Sequence, residues 1–363
     1  MPRPDVHRFA RASLLLCAVQ GGCFPRFDLP PGEALPDGAL LAPLGAVLPL
    51  AGSVTSCDLC VDAGRVAIVA SDGESHLQIF DLAEGRLLAA SVLAHDASAA
   101  RFCERGAEIV VLRASGDALD LHTVASDGIA AAGTILLADG GGRAGLDLAV
   151  DLGHQRACVL RAEGRLDLVD LAARQQLASA ELRAAITACA ITRGGARVAC
   201  ALAREDAVLL LDGAQLRVLA RVALGDSPAA LRFDDTGQLL YVGGARLHTV
   251  DVITAEVLGQ GRCSLPAAAS TAGILALGHD PARARVYVAN RDENSVGVVD
   301  VQSPQQLHCL GLVPTDRAPR AALTDGRQLV IVNQRSLEIT PVPLAADLAR
   351  ATATVRRNQA PRR

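Results

Sequence analysis

The sequence predicts an all-β protein, a seven-bladed β-propeller of four-stranded antiparallel blades, on three observations. First, a turn residue recurs at Gly64, Gly106, Gly153, Gly195, Gly237, Ala284 and Gly326, at spacings of 42, 47, 42, 42, 47 and 42 residues. That period is the length of one blade. Second, each turn is followed by two short β-branched runs, such as RVAIVAS (65–71) and LQIFDL, or RVYVAN (285–290) and SVGVVDV. Runs of this kind, bounded by Gly, Asp, Ser and Asn, read as strands. Third, six units carry a fourth strand, for example RLLAASVL (86–93) and LHCLGLV (307–313), whereas the seventh ends near Leu344 without one. An isolated apolar segment, Gly45–Ala51, supplies the missing strand from the other end of the chain. Pairing first and last segments closes the ring and hides both open edges.

Taken in order, the chain opens on an export signal at 1–22. Arg3, Arg8 and Arg11 form a basic start, Ser13–Val19 is an apolar run, and Gly21-Gly22 supply small residues for cleavage. The apolar run is too short to span a bilayer. Cys23 follows the two glycines and resembles the lipidated cysteine of the bacterial lipobox, although Gln20 stands where that motif has an aliphatic residue. Residues 23–44 are rich in Pro and Gly and read as a tether. The propeller takes 45–344. Its clearest copy is Ser227–Val252, with strand Ala229–Phe233, the turn Asp234–Gly237 and strand Gln238–Val242. The polar stretch 345–363 ends in Arg356-Arg357 and Arg362-Arg363 and reads as a disordered basic tail.

Composition narrows the function. Half the residues are apolar and a fifth charged, so 363 residues can bury the core of one large domain. All 35 basic residues are Arg, which fits a GC-rich bacterial genome. A net charge of −4 and 2 % aromatic residues give neither the basic face nor the stacking platform of a nucleic-acid binder.

The repeats resemble the YVTN-type β-propeller family. The resemblance is best over Leu224–Val242, with Gly225, Pro228, Asp235, Gly237 and Tyr241-Val242 at the family's repeat positions. It is good again over Tyr287–Asn290, Asn294–Val296 and Val299-Asp300. It spans roughly 300 residues and is weak in blades two to four. The similar WD40 pattern fits less well. The chain has no Trp, and Phe80-Asp81, Val169-Asp170 and Val299-Asp300 occupy the place of its Trp-Asp pair. The family hosts binding proteins, lactonases and redox enzymes, so the resemblance implies an architecture and leaves the function open.

Eight cysteines lie beyond Cys17 and Cys23. Cys57 and Cys60 are spaced like a zinc or redox pair, yet on a strand residues three apart point to opposite faces. With no second such pair and no nearby His, no metal is expected there. Cys189 and Cys200 flank one hairpin on the same face, which suits two buried thiols or a cross-strand disulfide. A haem site of the CxxCH type is missing.

The resemblance places ligands around the central channel, on the face built from the loops leading into each inner strand and those joining second to third strands. We call this the upper face. Its candidate ligand-binding residues are Asp72, Glu74, His95, Asp96, Asp226, Asn290, Arg291, Asp292, Asp316, Asn333 and Arg335. His95-Asp96 beside Asp72 or Asp316 has the chemistry of a hydrolytic base with an orienting acid. No cofactor is expected; Asp292, Glu293 and Asn294 carry calcium-ligand chemistry, in a spacing that matches no EF-hand loop. The same residues also suit the plain work of capping turns and keeping strand ends wet. DGGGRAG (139–145) is followed by no helix, which argues against a phosphate loop. His279-Asp280-Pro281 falls on the opposite face and reads as structural.

Two functions follow as expectations. One is a non-catalytic binding or scaffold propeller, monomeric, exported to the periplasm or outer membrane and held there only by a lipid on Cys23, with a protein or small polar ligand as partner. The alternative is a lactonase-like hydrolase acting at the channel mouth.

Overall fold

In the computed structural model, residues 46–103, 106–125, 128–138, 143–151, 155–261, 277–291 and 294–343, with 348, 352 and 353, are described. They belong to one compact unit, Pro43–Arg363. The signal, Cys23 and the tether lie outside the described residues. Among the described residues, no helix is long and apolar enough to cross a membrane.

The strands form seven four-stranded antiparallel sheets. Blade 1 spans Ser53–Val92, blade 2 Ala97–Leu136, blade 3 Gly145–Glu181, blade 4 Ile186–Ala223, blade 5 Ala230–Gly261, blade 6 Leu277–Pro314 and blade 7 Ala321–Pro341. Blades 1 to 6 each run in chain order from the inner strand to the outer one. Blade 7 takes its outer strand from Ala46–Pro49, which pairs antiparallel with Ser336–Pro341 in the register Val47↔Glu338 and Leu48↔Leu337. The ring is therefore closed as the sequence predicts, by a segment slightly shorter than Gly45–Ala51.

Burial explains the strand compositions. Second strands are apolar throughout, as in Val66–Ala70 and Val198–Ala201, because both faces pack against neighbouring blades. Outer strands such as Gln175–Glu181 alternate between exposed and half-buried positions, because they form the rim. Each junction between blades holds one apolar cluster. Ile68, Val330 and Leu337 lie between blades 1 and 7, and Val208, Leu240 and Val250 between blades 4 and 5.

Polar residues shape the turns. The inner-to-second turn residue is left-handed, with φ of 60° at Gly64, 71° at Gly237 and 48° at Ala284, which explains why the period shows as glycine. The Asp closing most third strands accepts backbone N–H groups of the next turn. Asp81 takes Glu84, Asp170 takes Ala173, Asp251 takes Ile253 and Thr254, and Asp300 takes Gln302. These are Asx turns on the lower face.

The stretch expected to be a loose tail contributes two residues to the fold. Leu348 is fully buried in the core shared by blades 6 and 7. Thr352 Oγ1 accepts the N–H of Leu312 on the outer strand of blade 6 at 2.7 Å.

Candidate functional site

The inner strands around the channel are tied by side chains. Asp58 of blade 1 accepts the N–H of Phe102 in blade 2 at 2.8 Å. Arg101 of blade 2 donates to Ser56 Oγ at 2.9 Å and to Asp147 Oδ1 of blade 3 at 3.2 Å. The other oxygen of Asp147 takes the N–H of Cys189 in blade 4 at 3.0 Å. Burial pushes the Asp58 carboxyl up, against the opposing pull of Arg101 and of the Phe102 N–H. The sequence reading passed over these charges because they sit on strands expected to be apolar. The available signal was that Asp58, Arg101 and Asp147 follow one another at about one repeat length.

On the upper face, four of the sequence-predicted residues, Asp96, Asp226, Asp316 and Asn333, sit in separate local networks. In blade 5, Asp226 Oδ1 lies 3.0 Å from His248 Nε2, and its other oxygen accepts the N–H of Arg246. In blade 7, Asp316 accepts from Ser336 Oγ at 2.8 Å. Glu338 Oε1 takes the N–H of Asp316 at 2.7 Å and Asn333 Nδ2 at 2.6 Å. Burial pushes the Glu338 carboxyl up, opposed by those two donors. Asn290 is buried beside Ser295, whereas Arg291 and Arg335 are exposed. Asp292 lies outside the described residues.

In blades 1 and 2, Asp96 accepts from Ser75 Oγ at 3.5 Å. Asp72 and Glu74 are exposed, and the imidazole nearest Asp72 is that of His76, at 3.6 Å. His95 and Asp96 line a cleft of about 240 Å³ with Arg113, Asp120, His122 and Thr134. Arg113 grips Asp120 with two bonds of 2.8 Å, and Thr134 donates to it at 2.7 Å. Burial raises the Asp120 carboxyl, but Arg113 and Thr134 bring it below its usual range. Burial holds His122 below the ordinary imidazole value. A second, open groove of about 590 Å³ lies between blades 3 and 4, rimmed by Arg143, Glu163, Glu181, Arg183 and Arg204. Behind it, the fully buried Arg161 and Asp167 meet at 2.6 Å.

Among the described residues, no three His, Cys, Asp or Glu side chains converge as metal ligands. Cys57 faces the junction of blades 1 and 7 and Cys60 that of blades 1 and 2, so the pair diverges as strand geometry predicts. Both are free thiols, as are Cys189 and Cys200, which sit directly opposite in register. Burial pushes Cys57 up to about 12. Cys309, on the outer strand of blade 6, is disulfide-bonded. On the lower face, His279 is half-buried against the ring of Tyr241, centroids 5.3 Å apart. Its place in the blade 5–6 packing agrees with the structural reading.

No protein-family profile matches the chain, and no curated protein sequence does. Solved structures match in fold. A chain in a crystal structure of the mitotic checkpoint complex aligns with a TM-score of 0.69 at 16 % identity, over 84 % of this chain and 99 % of that one. A chain of Kuenenia stuttgartiensis hydrazine synthase aligns with a TM-score of 0.67 at 13 % identity, over 81 % and 96 %. One chain of a checkpoint complex and one of a hydrazine synthase thus share the β-propeller fold with this chain, and the fold selects no function.

Proposed function

We propose that this chain is a binding or scaffold propeller of the cell envelope, exported by its 1–22 segment and held at the membrane by a lipid on Cys23. One observation carries the binding role. The upper-face groups divide among separate local networks, Asp226 with His248, Asp96 with Ser75, and Asp316 with Ser336, Asn333 and Glu338. A broad polar surface of that kind suits a partner, whereas catalysis needs base, orienting group and oxyanion donor around one reacting atom. A propeller of similar fold in a checkpoint complex agrees with a role in protein assembly. The half-cystine at Cys309 favours an oxidising compartment.

Native mass spectrometry of the protein taken gently from its own cells tests this. The expected species starts at Cys23, carries a diacylglycerol-sized mass, keeps Cys309 oxidised and retains a protein partner. A chain starting at Met1 with Cys309 reduced would overturn export. The His95 cleft is the observation that favours the lactonase-like alternative, with His95 as base. Lactone turnover abolished by His95→Ala would establish it in place of the scaffold role.

A further inference from the structure

Three loops of the upper face meet around the open groove of about 590 Å³ between blades 3 and 4. Glu163 and Gly164 belong to the turn that joins the second and third strands of blade 3, and Arg204 to the matching turn of blade 4. Arg183 stands in the loop at 182–185 that leads into the inner strand of blade 4. The walls are locked backbone to backbone. Leu182 N–H donates to Gly164 O at 2.9 Å, and a Cβ on Gly164 would lie 2.5 Å from Ala184 O. Glu163 and Arg183 hold left-handed backbones, with φ of 63° and 48°. Glycine would sit there with less strain, yet both positions keep a charged side chain at the rim of the groove. Backbone strain retained in this way gathers at functional sites.

The charges of the groove fall into two sets. Arg143 reaches both carboxylates, Glu181 at 3.1 Å and Glu163 at 3.7 Å, and Glu181 also lies 3.3 Å from Arg165. Arg143 foremost, then Arg165, hold the Glu181 carboxyl below its ordinary range, so it stays ionised and is already answered. Arg183 and Arg204 are exposed, and neither has an ion pair or hydrogen bond among the described residues. Every residue of the loops that carry them is described. Glu205, next to Arg204, turns away to Arg221 at 2.9 Å, and Asp206 does not line the groove. The floor is apolar, with Leu146 46 % exposed beside Ala184 and Ala185.

We propose that this groove binds an acidic, extended segment of a partner protein, with carboxylates on Arg183 and Arg204 and an apolar side chain on Leu146. Charge complementarity names the occupant. The two groove carboxylates are taken by Arg143, so the ligand meets two solvent-facing guanidinium groups, each able to hold a carboxylate through two parallel N–H donors. A cationic rim around an apolar floor suits a peptide, whereas a small dianion would leave Leu146 in water. Glu163, 76 % exposed, repels a continuous polyanion such as nucleic acid. A peptide instead places its charges selectively. The volume falls within the range of sites that enclose several side chains. The proposal rests on the binding-face reading and specifies what that face recognises.

Fluorescence anisotropy on the folded full chain tests it. The probes are a labelled short peptide with Asp-Leu-Glu at its centre, its Asn-Leu-Gln counterpart, a short oligothymidylate, and succinate as unlabelled competitor. The acidic peptide is expected to bind and the amide peptide not, with binding weakening as salt is raised. Arg183→Gln and Arg204→Gln should each weaken it about threefold, and together about tenfold. Their melting temperatures should match the parent's, because both side chains are exposed. Arg86→Gln, which removes the same charge from the rim of blade 1, should bind like wild type. Arg183→Glu combined with Arg204→Glu should prefer a Lys-Leu-Lys peptide, a reversal that lost folding does not imitate. Failure of the acidic peptide to bind, undiminished binding in the double Gln variant, or equal weakening by Arg86→Gln would overturn the site. So would an oligothymidylate that binds as tightly as the peptide, or succinate that displaces it as well as unlabelled peptide does. A cellular partner retained equally by wild type and the double Gln variant in native spectra would overturn this site alone and leave the scaffold role standing. Peptide binding with no partner retained from cells would do the reverse.

Discussion

Arg101 Nη2 donates to Asp147 Oδ1 at 3.2 Å, joining the inner strands of blades 2 and 3 side chain to side chain. Asp147 passes the link on to blade 4 through the N–H of Cys189. Asp147→Ala strands the Arg101 charge and leaves that N–H unpaired. The expected loss is about 2–3 kcal/mol, at the low end for a buried pair because both side chains keep some solvent contact. Asp147→Asn should cost less, since its amide oxygen still accepts one of the two bonds. Urea denaturation of both variants checks the order; equal, near-zero losses would show that the tie is idle.

Those ties mark where sequence reading stopped. The blades were legible because strand alternation and the glycine turn are local, so each repeat announces itself within about ten residues. The partner of Asp147 lies one repeat back, at Arg101, and another one repeat forward, at Cys189. Contacts at that separation depend on how blades stack, which one chain's pattern does not encode. The upper face shows the same division. Asp226, Asp316 and Asn333 were recognisable as loop polars, but their partners His248, Ser336 and Glu338 sit inside third strands that read as apolar runs.

Ala284 occupies the turn position that is glycine at Gly64, Gly106, Gly195, Gly237 and Gly326, and it adopts φ of 48° there. A side chain in the left-handed region is strained, so Ala284→Gly should stabilise the fold by about 0.5–1 kcal/mol after the entropy of the added glycine is subtracted. Gly237→Ala should destabilise it, since the new Cβ would also meet Thr192 Cγ2 at 3.1 Å. Paired thermal melts check both signs, and a destabilising Ala284→Gly would refute the account of this turn.

The closing strand should govern both stability and association state. Leu48 pairs with Leu337 and packs into the core between blades 1 and 7. Leu48→Asp puts a charge against that core and is expected to cost about 2–3 kcal/mol. Deleting residues 1–49 leaves the edge of Ser336–Pro341 unpaired, and open edges recruit other strands. Size-exclusion chromatography should then show dimers or larger species, whereas a truncated chain that stays monomeric and melts like the parent would mean the strand is dispensable.

Glu338 gives the fold a pH dependence of definite sign. It is 6 % exposed, and burial first, with the nearby charge of Asp316 adding to it, holds its carboxyl above the ordinary value of 4.5. The folded chain therefore holds this proton more tightly than the unfolded chain, and unfolding releases it. The stabilising contribution is fully present below the unfolded value and is lost as pH rises through the raised folded one. Glu338→Gln keeps an oxygen for the Asp316 N–H and for Asn333 Nδ2 while removing the titration. Melting temperatures of wild type and Glu338→Gln, taken in steps between about pH 4 and pH 8, should diverge as pH rises, with the wild type falling below the variant. Parallel curves would mean that the carboxyl is already ionised in the folded chain over that whole range, its charge carried by the two donors that face it.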